Sequence, residues 1–346
     1  MLIKQKNPHG GDIYSHDVML DFSSNMNPAG MPEEVRRAVI DSADSWMRYP
    51  DPYCRELRKG ISSHEGVPEE WIICGNGAAE LIYSFAYSLP GDLPALIVSP
   101  TFSEYQTALD AAGIRTVPYV LRKEDGFRLT RDILSLDLPG YCAVFICTPN
   151  NPTGISVAPE LLREVARTGV RLFCDMCFLD LTDDPDRYGI PDLLREYRNV
   201  TVLRAFTKSF SMAGLRLGYA MSSDSGMLEI MSEKTQCWNV SSAAQHAGIA
   251  ALGCGRWLEE SVRTVSAQRR HLAEELTSLG IDVVPGEANY LLLRTDTDLY
   301  SEMLSRRILV RDCSNYTGLE KGHYRIAVRT PQENDIFINA AREIYR

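Results

Sequence analysis

The strongest constraint on this chain is an alternation. Between about residues 70 and 225, short apolar runs take turns with amphipathic stretches. The apolar runs are Ala95–Ser99, Thr116–Leu121, Cys142–Thr148, Arg171–Phe178, Val200–Phe206 and Leu217–Met221, with helical patterns such as Ala78–Leu89, Ser103–Ala112 and Pro159–Thr168 among them. Strand and helix in steady alternation predict an α/β fold, a mostly parallel sheet covered on both faces. In such sheets ligands gather at the carboxyl ends of the strands. Past residue 240 the texture changes. A long amphipathic helix, Arg256–Ser278, leads into short strands at Asp282–Val284, Tyr290–Arg294, Ile308–Arg311 and Tyr324–Arg329, with a helix at Thr297–Arg306 and another at the end. That pattern predicts a smaller α+β unit. The Gly-, Pro- and Asn-rich first 30 residues read as an extended arm. The expected division is 1–30 arm joining the small domain, 31–240 large domain and 241–346 small domain.

Composition narrows the class. The net charge of -10 argues against nucleic acid or an anionic membrane as partner. No stretch approaches the ~20 apolar residues of a membrane span, and the N-terminus carries no apolar leader. The nine cysteines are irregularly spaced, several within apolar runs, and are expected to be reduced core residues of a cytoplasmic protein. No ligand-spaced His pair suggests a metal.

Four stretches carry chemistry. Gly75-Asn76-Gly77-Ala78-Ala79-Glu80 joins a strand-like run to a helix, where glycines let backbone N–H groups approach a phosphate. Asp175 closes the buried run Val170–Cys174, and a carboxylate there calls for a partner, either solvent or a buried cation. Lys208 follows an apolar strand in Leu203-Arg204-Ala205-Phe206-Thr207-Lys208-Ser209, and such a lysine can lose its proton and attack an aldehyde. Arg216, eight residues on, is a fixed cation suited to a phosphate. Thr148-Pro149-Asn150-Asn151-Pro152-Thr153-Gly154 caps another strand as a turn.

Taken together and in this order, these motifs resemble the fold-type I pyridoxal-phosphate (PLP) enzymes, specifically the class I/II aminotransferase family. The resemblance covers nearly the whole chain and implies a large domain with a mostly parallel seven-stranded sheet between helices, plus the smaller α+β domain. It implies Lys208 as the Schiff-base lysine, Asp175 as partner of the pyridinium nitrogen, and Asn151 on the phenolic oxygen O3'. Phe102 would stack on the ring, with Tyr105 as the other candidate. Gly77, Ala78, Thr207 and Arg216 would hold the phosphate, Tyr49 would reach the neighbouring site of a homodimer, and Arg325 would grip the substrate carboxylate.

Within that family the His9-Gly10-Gly11 arm, Ser23-Ser24-Asn25-Met26-Asn27-Pro28 and Arg311-Asp312-Cys313-Ser314-Asn315-Tyr316 are similar to the decarboxylases of L-threonine O-3-phosphate in cobalamin biosynthesis. Histidinol-phosphate aminotransferases, which transfer the amino group with 2-oxoglutarate, are the alternative. Both imply a phosphorylated amino substrate, for which His9, Asn27, Arg311 and Arg325 are the candidate contacts. The family's usual Asp-Glu-Ala-Tyr reads Asp175-Met176-Cys177-Phe178 here, so Phe178 cannot give O3' a tyrosine hydrogen bond. A non-catalytic sensor built on the same motifs would carry an added helix-turn-helix, for which no room is expected before His9.

Overall fold

The computed structural model describes residues 9–345. The N-terminal run read as lacking a leader falls on residues 1–8, outside the described residues. Thirteen strands occur among those described: β1 (Leu20–Asp21), β2 (Ile72–Asn76), β3 (Ala95–Ser99), β4 (Thr116–Val120), β5 (Ala143–Cys147), β6 (Leu172–Asp175), β7 (Val200–Ala205), β8 (Leu217–Met221), β9 (Asp282–Val284), β10 (Tyr290–Arg294), β11 (Ile308–Leu309), β12 (Arg311–Asp312) and β13 (His323–Ala327).

Seven of them form one sheet in the order β2-β8-β7-β6-β5-β3-β4. Every neighbouring pair is parallel except the two made by β8, which runs against both β2 and β7. Helices cover both faces, so the central strands are apolar throughout: Val144 and Ile146 of β5 feed one core, while Ala143, Phe145 and Cys147 feed the other. The reversal of β8 has a consequence for function. The segment entering β8 arrives at the sheet edge where β2, β3, β5, β6 and β7 end, which brings Arg216 to the carboxyl ends of strands parallel to one another.

The smaller part is an antiparallel sheet in the order β12-β13-β10-β9, backed by the 24-residue helix Gly255–Ser278 and the last helix, Pro331–Ile344. The sequence pattern reads 308–311 as one strand, but its pairing switches partway. Ile308 and Leu309 pair in parallel with Leu20 and Asp21 of the arm, whereas Arg311 and Asp312 pair with Arg325 and Tyr324. The arm thus holds a strand that its Gly- and Pro-rich composition conceals. The run expected to extend to Phe178 ends as a strand at Asp175: the Met176 N–H still reaches the Leu203 carbonyl of β7, but the Leu179 N–H then folds back on the Met176 carbonyl and the chain turns out of the sheet. All nine cysteines are free thiols and eight are buried. Among the described residues no helix is long and apolar enough to cross a membrane.

Candidate active site

The carboxyl ends of the parallel strands surround a cavity of about 230 Å³ lined by, among others, Ala78, Phe102, Asn151, Asp175, Lys208 and Arg325. Lys208 sits in the short helical turn Phe206–Ser209 directly after β7. Its Nζ lies 3.9 Å from Met26 Sδ and 5.9 Å from the centre of the Phe178 ring. Burial, with Arg325 contributing, lowers its pKa to about 8. A substantial fraction is therefore the free amine that attacks an aldehyde near neutral pH.

Asp175 is 5% exposed. Its Oδ2 accepts from Tyr105 Oη at 2.6 Å and its Oδ1 from the Cys177 N–H at 3.0 Å. Burial pushes the carboxyl up, and these donors oppose the shift. No salt bridge to it exists among the described residues, so a buried anion waits with neutral donors only, an arrangement that suits an incoming cation.

Opposite lies an anion cradle. The helix Gly77–Tyr87 points its N-terminus at the cavity, with Ala78 and Ala79 on the wall. Gly77 has φ +79°, and a Cβ there would sit 2.6 Å from Arg216 Nη2. Arg216 itself holds a left-handed φ of 56°, a strain that persists only where the surroundings impose it. Gly218 is equally constrained, since its Cβ would lie 2.7 Å from Ala78 N. Glycine backbone, helix terminus and guanidinium converge as a phosphate requires, and Thr207 lines the same cavity.

Arg325, 6% exposed, donates to Asn151 Oδ1 and, at 2.6 Å, to the carbonyl of Ser23. Its Nε is buried without a hydrogen-bond partner among the described residues. With Asn151 Oδ1 so occupied, the amide nitrogen is the end left to donate into the cavity. His9 is placed as well: its Nε2 lies 2.8 Å from Glu104 Oε1 and its ring 5.4 Å from that of Phe102.

Besides Gly77, which sits directly behind the wall residue Ala78, three predicted residues are not on the cavity wall. Asn27 is buried with both amide ends consumed, its Nδ2 by the Ser209 carbonyl at 2.8 Å and its Oδ1 by the Ala29 N–H at 3.0 Å. It pins the arm to the Lys208 turn and is not among the residues that line the cavity. Two residues earlier, Asn25 is 2% exposed, lines the cavity and carries a buried Oδ1 with no partner among the described residues. The motif Ser-Ser-Asn-Met-Asn-Pro offers both asparagines, and only backbone geometry decides which turns inward. Arg311 pairs directly with Arg325 across β12 and β13, but its guanidinium bonds the Asp312 carbonyl and Asn315 Oδ1 and lies over Tyr316, which does reach the cavity. Tyr49 is 78% exposed and stacked 4.4 Å from Trp238, away from this site. The sequence offered Tyr105 only as a stacking alternative to Phe102, and its bond to Asp175 had no signal in the linear pattern.

A parallel sheet with a lysine, a buried carboxylate and a phosphate cradle at its strand ends defines the pyridoxal-phosphate enzymes of this fold. Residues 17–340 match the aminotransferase class I and II family, and the chain belongs to it. Its cofactor is pyridoxal 5'-phosphate, and the anion cradle, the uncompensated Asp175 and the depressed Lys208 fit that group. Among its relatives, the threonine-phosphate decarboxylase of Salmonella typhimurium is 37% identical over 97% of this chain and 96% of that protein. The histidinol-phosphate aminotransferase of Nitratidesulfovibrio vulgaris (strain Hildenborough) is 32% identical over 94% and 88%. The crystal structure of the histidinol-phosphate aminotransferase from Clostridium acetobutylicum superposes with a TM-score of 0.89 at 27% identity, covering 94% of this chain and 99% of that one.

Proposed function

We propose that this protein decarboxylates L-threonine O-3-phosphate to (R)-1-aminopropan-2-ol phosphate. The observation that carries the reading is the end-to-end similarity to the Salmonella decarboxylase at 37% identity. It is supported by an arm that brings His9 and Asn25 to the cavity beside Arg325.

The bound cofactor supplies an aldehyde that takes up the substrate amine and a ring that accepts the electron pair left at Cα when CO₂ departs. Asp175 would keep the ring nitrogen protonated. Arg216, Thr207 and the N–H groups after Gly77 would hold the phosphate, and the Asn151 amide nitrogen would donate to O3'. Phe102, also on the cavity wall, would lie against the ring. Arg325 offers the guanidinium that pairs with a substrate anion, with Asn25 and His9 beside it for the remaining polar atoms. These anion contacts would orient the substrate so that its carboxylate is the group placed for loss. Lys208, whose side chain lines the cavity, would be the group that returns one proton to Cα. One CO₂ leaves and one proton is gained.

The active unit is a homodimer. Trp46, Met47, Tyr49, Tyr53 and Trp238 expose large apolar side chains, Tyr49 and Trp238 stacked on each other, which supports burial against a second copy. Tyr49 then serves the phosphate of the neighbouring site.

The competing reading is amino transfer of the histidinol-phosphate type, favoured by the TM-score of 0.89 to such an aminotransferase. An assay of CO₂ and aminopropanol phosphate released from L-threonine O-3-phosphate, run beside 2-oxoglutarate-dependent amino transfer from histidinol phosphate, separates them. CO₂ release with stoichiometric amine phosphate is expected. Amino transfer without CO₂ sinks the decarboxylase reading.

A further inference from the structure

Asp175 does not orient itself. Each of its oxygens carries one fixed donor, the Cys177 N–H on Oδ1 and the Tyr105 hydroxyl on Oδ2. The first comes with the chain, two residues on. The second is brought from 70 residues away by the helix Glu104–Ala111, of which Tyr105 is the second residue. Its ring is 0% exposed and wedged among aromatics, 5.7 Å from Phe145, 5.8 Å from Phe102 and 6.4 Å from Phe173. Held on these sides, the ring cannot swing, so its hydroxyl arrives at a fixed point.

We propose that Tyr105 is a positioning residue for the cofactor, acting through Asp175: its hydroxyl keeps that carboxylate charged and turned toward the pyridine nitrogen. The inference rests on the pyridoxal-phosphate reading and adds to it a residue that touches neither substrate nor the reacting atoms. The physical need is plain. A buried carboxylate with too few donors takes up a proton, and a protonated Asp175 could not hold a pyridinium. The phenol is a dependable donor because burial beside Asp175 drives its own ionisation well above the usual range. The same helix also links to the cavity mouth, since Glu104, the preceding residue, takes the contact with His9.

Tyr105→Phe deletes the hydroxyl and keeps the ring. A hydrogen bond to a charged group is worth about ten- to a hundredfold in an equilibrium constant. The variant is therefore expected to bind pyridoxal 5'-phosphate about tenfold or more weakly in an absorbance titration. Turnover of L-threonine O-3-phosphate should fall by a similar factor with KM unchanged. Asp175→Asn supplies the control for mechanism. In that background Tyr105→Phe should cost nothing further in cofactor affinity, because the carboxylate it serves is gone. This double variant also covers a folding defect of the single one, since losing a donor to a neutral amide leaves no charge stranded. Wild-type affinity and turnover in Tyr105→Phe overturn the inference, as does an equal loss in both backgrounds. A wild-type protein that binds no pyridoxal 5'-phosphate overturns the cofactor reading itself, and this inference with it.

Discussion

Replacing Gly77 by alanine puts the phosphate cradle to a direct test. Two costs follow from the geometry. The residue sits at φ +79°, where a side chain costs about 1–2 kcal/mol. The added methyl would also stand 2.6 Å from Arg216 Nη2 and 3.0 Å from its Cζ, closer than carbon and nitrogen tolerate, so the guanidinium must move. Arg216 is the far end of a flexible side chain, and displacement relieves the clash at the expense of its aim. Losing one charge-assisted bond to a phosphate costs about 1.5–3 kcal/mol, or roughly ten- to a hundredfold in affinity. Gly77→Ala should thus melt slightly lower and bind pyridoxal 5'-phosphate ten- to a hundredfold more weakly. Its affinity for pyridoxal, which lacks the phosphate, should be unchanged. Titrating both ligands by absorbance separates the two effects. Equal weakening for pyridoxal and pyridoxal phosphate, or no weakening at all, refutes the assignment of the cradle to Gly77 and Arg216.

Two further outcomes are expected. Lys208 is a cation whose folded pKa, about 8, lies below its ordinary 10.5. Between those values the unfolded chain holds more protons than the folded one, so stability of the cofactor-free protein rises with pH across that window, and below it the penalty is present in full. Lys208→Met should therefore stabilise the cofactor-free protein at pH 6.5 by about 1–3 kcal/mol, with the advantage fading toward pH 10; equal melting at pH 6.5 contradicts this. Asn27→Ala strips buried partners from the Ser209 carbonyl and the Ala29 N–H and should cost about 1–3 kcal/mol in urea unfolding, with substrate KM unmoved. A raised KM at intact stability would return Asn27 to the substrate pocket.

The sheet and the residues proposed to hold the cofactor were legible in the sequence because both are local. Gly77, Asp175, Lys208 and Arg216 each adjoin a strand end, so the alternation of elements brings them together with no knowledge of loops. The proposed substrate side was less legible, since its candidate residues lie on segments from the two ends of the chain. Asn25 and Asn27 differ only in which way an irregular backbone faces. Arg311 and Arg325 are both arginines in short strands, and the turn Asp312–Tyr316 decides that one is occupied beside the cavity and the other lines it. Tyr105 was visible as an aromatic near Phe102, but a contact across 70 residues has no periodicity to betray it.

The arm also sets a length. Asp21 is paired with Leu309 in the smaller part of the molecule, and the Asn27 N–H is bonded to the carbonyl of Lys208 at 3.1 Å. Six peptide units separate those two anchors, and a chain so short spans about 21 Å when fully drawn out. While both anchors hold, the smaller part cannot travel farther than that from the lysine turn, whatever leaves or enters between them. The arm is a tether as well as a wall. Between the two anchors the slack is taken up further, since the carbonyls of Phe22, Ser23 and Met26 accept from the Ala327 N–H, Arg325 and Asn289, so any relative movement of the smaller part must break several of these bonds at once.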